Sequence, residues 1–148
     1  MDRAKQYSII KHRVALINIF LTPVLLWIFL IIGIPAYFKN LSHSVTGNEY
    51  TNLIIFYILA GAFYYALTLP LEFYSGFLVE HRFALSNQTL KDWIIREAKK
   101  NLVAFIISAP LVIALYASLK IWPLDWWLWT TILWFSVSII LAKFAPIV

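Results

Sequence analysis

The fold class expected from the sequence is an all-α, polytopic transmembrane helical domain, with four spans and a cytoplasmic amphipathic helix between spans two and three. Three observations lead there. Of 148 residues, 62% are hydrophobic and 13% charged, whereas soluble domains have about half apolar and about a quarter charged residues. Four runs that are essentially free of charge each approach the ~20 residues an α-helix needs to cross the hydrocarbon layer. Lys and Arg gather at the ends of these runs, where they act as topology signals. The expected spans are residues 14–38, 53–70, 102–119 and 126–143, all in one membrane domain, 1–148.

The first run follows Arg13 and contains Pro23, which frees the carbonyl of Ile19 and is expected to bend the helix. At about 25 residues it exceeds the ~7–15 of a secretory h-region, and no small-x-small cleavage site closes it, so it is retained as a span. The polar stretch Lys39 to Asn52, with its Asn, Ser and Gly, reads as a loop. The second run stops at Pro70, and its Ala60, Gly61, Ala62 and Ala66 permit close helix contact. The third contains Ser108 and Pro110. A tight turn from Lys120 to Asp125 joins it to the fourth as a hairpin.

Charge sets orientation. Arg3, Lys5, Lys11 and Arg13 precede the first span; Arg82, Lys91, Arg96, Lys99 and Lys100 lie between the second and third; Lys143 ends the fourth. Both termini and the central segment are therefore expected on the cytoplasmic side. Trp122, Trp126, Trp127 and Trp129 then fall at the opposite interface, where indole rings favour the headgroup layer. The net charge of +5 is accounted for by these flanking residues, so the expected partner is the lipid bilayer and no nucleic acid. The chain has no cysteine, which excludes disulfides and thiolate metal sites.

The central polar segment, Glu80 to Lys100, is where chemistry would be sought. Ser86 or Asn87 is expected to cap a helix covering about 86–101. Leu90, Trp93, Ile94 and Ala98 fall on one face of it, with Lys91, Asp92, Arg96, Glu97 and Lys99 turned away and Asp92 paired with Arg96. Glu80, His81 and Arg82 can form an acid–base pair or a clamp, but adjacent residues point apart, and a structural ion pair explains them as well. A zinc peptidase commonly shows H-E-x-x-H on one helix face. The sequence has no such motif, and His12, His43 and His81 stand apart. It also lacks a phosphate-cradling glycine loop, a G-x-S-x-G turn and a charge deep within a span. The expected catalytic, cofactor and metal residues are therefore none.

The run LVEHRFALSNQTLKDWIIREAKKNL resembles the N-terminal membrane domain of the CAAX prenyl protease 1 type zinc metallopeptidases, bacterial members in particular. The matching order is Leu69-Pro70-Leu71, Tyr74-Ser75, Glu80-His81-Arg82-Phe83, Leu85-Ser86 and Gln88-Thr89, and Leu141 to Val148 is similar to the family's exit from its fourth span. Ala84 departs from the Gly usual there. The resemblance implies zinc, a water-activating glutamate and a substrate groove in a region that follows this one, since their ligands are absent here. It also implies a peptidase domain, in cis or in trans, as partner, with Glu80, Arg82, Phe83, Ser86 and Gln88 as docking residues and a bacterial plasma membrane, or alternatively the endoplasmic reticulum, as location. The rival expectation is a stand-alone small membrane protein acting as regulator or assembly subunit; a small transporter is a third.

Overall fold

The computed structural model describes residues 3–144, so the last four residues of the resembling run Leu141 to Val148 lie outside the described part. Among the described residues every regular element is helical. The chain divides after Asn101 into two compact units.

The first unit begins with α1, Arg3–Ile31, which runs through Pro23 without interruption. The expected span 14–38 is broken at Gly33, whose φ of 78° is a left-handed conformation that glycine adopts without a Cβ penalty. The Gly33 N–H donates to Leu30 O at 3.2 Å, closing the helix, and α2, Ile34–Val45, starts at once with Pro35 in its first turn, where no intrahelical N–H partner is required. Most of the expected loop 39–52 is therefore helix. Only Thr46 to Asn48 connects, and Asn48 caps the next helix by accepting from Tyr50 N and Thr51 N at 3.0 and 3.1 Å. Asn52 Nδ2 lies 2.9 Å from His43 Nδ1 and ties the connection together. Phe29, Phe38 and Phe63 bring α1, α2 and α3 into contact, with ring centroids 5.8–6.0 Å apart.

The third helix, α3, covers Glu49–Arg82 and does not stop at Pro70. The sequence after Pro70 stays apolar through Val79, apart from Glu72, Ser75 and Gly76, and this keeps the helix going. A wider π turn at Tyr74–Leu78 follows the proline, whose ring removes a hydrogen bond donor from the ladder. The first turns of α4, Leu90–Ile121, complete the unit. The expected cap at Ser86 or Asn87 is supplied instead by Thr89: its Oγ1 accepts from Asp92 N at 3.2 Å, and Asp92 Oδ2 accepts from Thr89 N and Oγ1 at 3.3 and 2.7 Å. This reciprocal box starts the helix four residues later than the 86–101 expected.

In the second unit α4 continues through Pro110 to Ile121, and α5, Trp126–Phe144, follows a short turn. Ser118 Oγ lies 3.1 Å from Thr130 Oγ1, and the Trp122 and Trp129 rings stack with centroids 5.0 Å apart, joining the two helices.

Three described helices, α1, α3 and α4, are long and apolar enough to cross a membrane, while α5 carries a shorter apolar stretch, Trp126–Ile140. Their apolar windows are only 6–11% buried, and residues such as Phe20, Trp27 and Ile31 are two-thirds or more exposed. A water-soluble chain rarely leaves so much contiguous apolar surface uncovered; hydrocarbon covers it at no such cost. Four spans as expected are therefore present only in the coarser form of three long apolar helices and a shorter one.

Candidate functional site

Several charged and polar side chains of the first unit, Lys11, Glu80, Arg96 and Lys100 among them, meet where α1 begins, α3 ends and α4 begins. Lys11 reaches from α1 to α3: its Nζ donates to Ser75 O at 2.9 Å and to Glu80 Oε1 at 3.3 Å. Ser75 lies within the π turn Tyr74–Leu78, so this outside donor meets the helix where its ladder changes register. Lys11 Nζ also lies 5.6 Å from the Tyr7 ring centroid, and Tyr7 meets Phe83 edge to face at 5.5 Å. The N-terminal turns of α1 are thus fastened to the far end of α3 by one ion pair and one ring pair.

Trp93 fastens α4 to α3. It is 4% exposed and packs edge to face on Phe73 at 5.3 Å and Phe77 at 6.2 Å. Gly76 makes room for it, because a Cβ there would stand 3.3 Å from Trp93 Nε1. That indole N–H is buried without a hydrogen-bond acceptor. Arg96 Nη2 donates to Gly76 O at 3.4 Å, and Lys100 lies 2.6 Å from Glu97 and 3.9 Å from Glu72. Glu97, expected on the outer face of the amphipathic segment, is 7% exposed. The face that packs is formed by Trp93 and Glu97, one turn apart, whereas Leu90 and Ile94 are about half exposed. The expected apolar stripe is thus divided, with only Trp93 turned inward.

Between these two clasps lies the loop that closes α3. Ala84 has φ 55°; its N–H donates to His81 O at 3.1 Å and Leu85 N–H to Glu80 O at 2.9 Å. This pattern is a Schellman cap, with the left-handed residue at the position glycine usually fills. His81 secures the loop, its Nδ1 lying 2.8 Å from Phe77 O and its Nε2 2.8 Å from Gln88 O. Ser86 Oγ accepts from Gln88 N at 3.3 Å.

Of the five expected docking residues, Glu80 and Phe83 face α1, and Ser86 and Gln88 shape the loop. Arg82 is exposed and forms no ion pair among the described residues. Lys11 and Gly76 were not singled out as site residues from sequence. A lysine one residue pair before an apolar run reads as a topology signal, and a lone glycine carries no partner information.

The residues present do not fit a zinc site. No group of three His, Asp or Glu side chains able to hold a metal comes together among the described residues. His12 Nδ1 sits 2.7 Å from Ser8 O, and His43 and His81 are engaged in the separate contacts given above. Further along the same unit, Thr22, Leu25, Phe29, Phe63, Tyr64 and Leu67 are among the residues lining an open apolar groove of about 230 Å³ between α1 and α3. Thr22 Oγ1 and Tyr64 Oη, 3.1 Å apart, are its polar pair.

A comparison with curated proteins finds no match. Compared with protein families, residues 1–148 match the one described as CAAX prenyl protease N-terminal, five membrane helices.

Proposed function

The chain belongs to the CAAX prenyl protease N-terminal family, an integral-membrane family, and on that premise we propose that it anchors a zinc endopeptidase region in the bilayer. In this reading it forms part of the enzyme's membrane-embedded chamber, is not catalytic by itself, and meets the peptidase region through the loop between α3 and α4. Protease, hydrolase and zinc describe that region and not the residues present here.

The observation that carries the docking reading is the reach and finish of the joined helix ends. The 34 residues of α3 make a rod of about 51 Å, longer than the ~30 Å of hydrocarbon, so its last turn, which carries Glu80 to Arg82, reaches past that layer. At that end Arg82 is exposed and unpaired among the described residues, and Leu85 and Leu90 are 61% and 51% exposed. A guanidinium beside exposed leucines outside the hydrocarbon suits a protein surface with a carboxylate and an apolar hollow. Lys11, Trp93 and His81 support this tip from behind, which gives Glu80, Phe83, Ser86 and Gln88 their part: they position the surface that Arg82 presents.

The proposed topology has α1, α3, α4 and α5 as four spans, both termini and the α3–α4 loop cytoplasmic, and a bacterial plasma membrane as location. The Lys and Arg distribution supports it. The family description names five membrane helices, and five helices are described here; α2, with 12 residues, is about 18 Å long and falls short of a crossing by itself. In a complete family member, Arg82→Glu with Leu85→Asp is expected to lower peptidase activity at least several-fold with membrane insertion unchanged. Wild-type activity in that variant would overturn the docking role and favour an accessory protein without a peptidase partner.

A further inference from the structure

The basic end of the first unit has more positive charge than its own acids take up. Glu80 is held by Lys11, Glu72 and Glu97 by Lys100, and Asp92 by the Thr89 cap. Arg13, Arg82, Lys91 and Lys99 are exposed and form no ion pair among the described residues, and Arg96 meets only the Gly76 carbonyl.

Depth decides which of these cations meet the membrane. Arg13 directly precedes the apolar run that starts at Val14, and Lys99 stands three residues before the run that starts at Leu102. At 1.5 Å per residue both fall within about 5 Å of the hydrocarbon edge, inside a headgroup layer about 5–8 Å thick. Arg96 is one turn farther out, still within a Debye length of about 8–10 Å. Leu16 and Ile17, 55% and 53% exposed, are one turn from Arg13 on the hydrocarbon side of α1, which places apolar contacts beside the guanidinium. A free anion would use the charge alone; a lipid uses both.

We propose that this end of the domain selects anionic phospholipids, with Lys99, Arg96 and Arg13 each meeting a headgroup phosphate and Leu16 and Ile17 meeting the start of an acyl chain. The partner chemistry is a singly charged phosphodiester lipid of the phosphatidylglycerol type. Arg82 and Lys91, farther from the hydrocarbon, add long-range attraction. This inference is independent of any peptidase partner.

The test uses the whole chain in neutral detergent micelles, titrated with phosphatidylglycerol and with phosphatidylcholine of the same acyl chains and read by native mass spectrometry. Phosphatidylglycerol is expected to bind at least about tenfold more tightly, since each Lys or Arg near an anionic surface is worth about fivefold. Arg13→Gln, Arg96→Gln and Lys99→Gln together are expected to remove that preference, whereas Lys39→Gln leaves it intact. Should the triple variant fail to fold, the native chain carries the test through salt: the preference must shrink as sodium chloride rises to ~0.5 M. Equal affinity for the two lipids, a preference that survives the triple change or is insensitive to salt, or one abolished by millimolar inorganic phosphate would overturn the proposal.

Discussion

Truncating Trp93 tests the packing that holds α4 to α3. Its side chain is 4% exposed, and burying an aromatic ring removes about 150–250 Å² from solvent. At about 25 cal/mol per Å² that is ~4–6 kcal/mol, reduced by roughly 10–40% because the unfolded chain already covers part of it. Trp93→Ala is therefore expected to destabilise the domain by ~2–5 kcal/mol, in line with other buried Trp truncations. Trp93→Phe should cost much less, because the indole N–H it removes has no acceptor and no hydrogen bond is lost. Thermal unfolding in detergent, with proteolysis of the 83–89 loop as a local readout, measures both. An exposed control, Trp127→Ala, at 58% exposure, should stay within about 0.5 kcal/mol. If Trp93→Ala unfolds no earlier than Trp127→Ala, or if Trp93→Phe is as damaging as Trp93→Ala, the packing argument is wrong.

Three further outcomes follow from named contacts. Ala84→Gly should stabilise the domain, because a left-handed Ala costs about 1–2 kcal/mol and the added freedom of Gly in the unfolded chain returns only about 0.4–1 kcal/mol; the gain corresponds to a rise of about 1–3 °C in Tm, and a fall in Tm would contradict the φ of 55°. A double-mutant cycle on Lys11→Met and Glu80→Gln should give a coupling of about 0.5–1 kcal/mol for this partly exposed pair; additive single effects would show that the pair does not hold α1 to α3. Because the chain has no cysteine, single Gln88→Cys and Trp127→Cys variants report sidedness with an impermeant maleimide on intact cells. Trp127→Cys should react directly and Gln88→Cys only after permeabilisation, and the reverse pattern would invert the proposed topology.

The parts legible in the sequence are those that depend on length and composition. The apolar runs located α1, α3, α4 and α5, and the Lys120 to Asp125 stretch marked the turn between the last two, whereas the start of α4, expected at Ser86 or Asn87, lies at the Thr89 cap. What failed depended on partners far away in the chain. Pro70 looks like a helix end, yet the apolar residues beyond it and the π turn carry α3 on to Arg82. Lys39 to Val45 is polar enough to read as loop, but the left-handed Gly33 and the Pro35 that follows start a helix there. Glu97 has no apolar character, and only its Lys100 partner at 2.6 Å explains its burial. At the tip, Glu-His-Arg-Phe identified the family, whereas the division of labour among its residues needed Lys11 and Tyr7, about 70 positions away.

The most direct measurement of the central claim is a cross-link from the tip. A photoreactive residue at Leu85, which is 61% exposed, placed in a complete family member in native membranes, is to be irradiated and the adduct located by peptide mass spectrometry. Adducts on the zinc peptidase region are the expected result. Adducts confined to lipid, or to the membrane helices alone, would contradict the claim that this domain holds a peptidase through the α3–α4 loop.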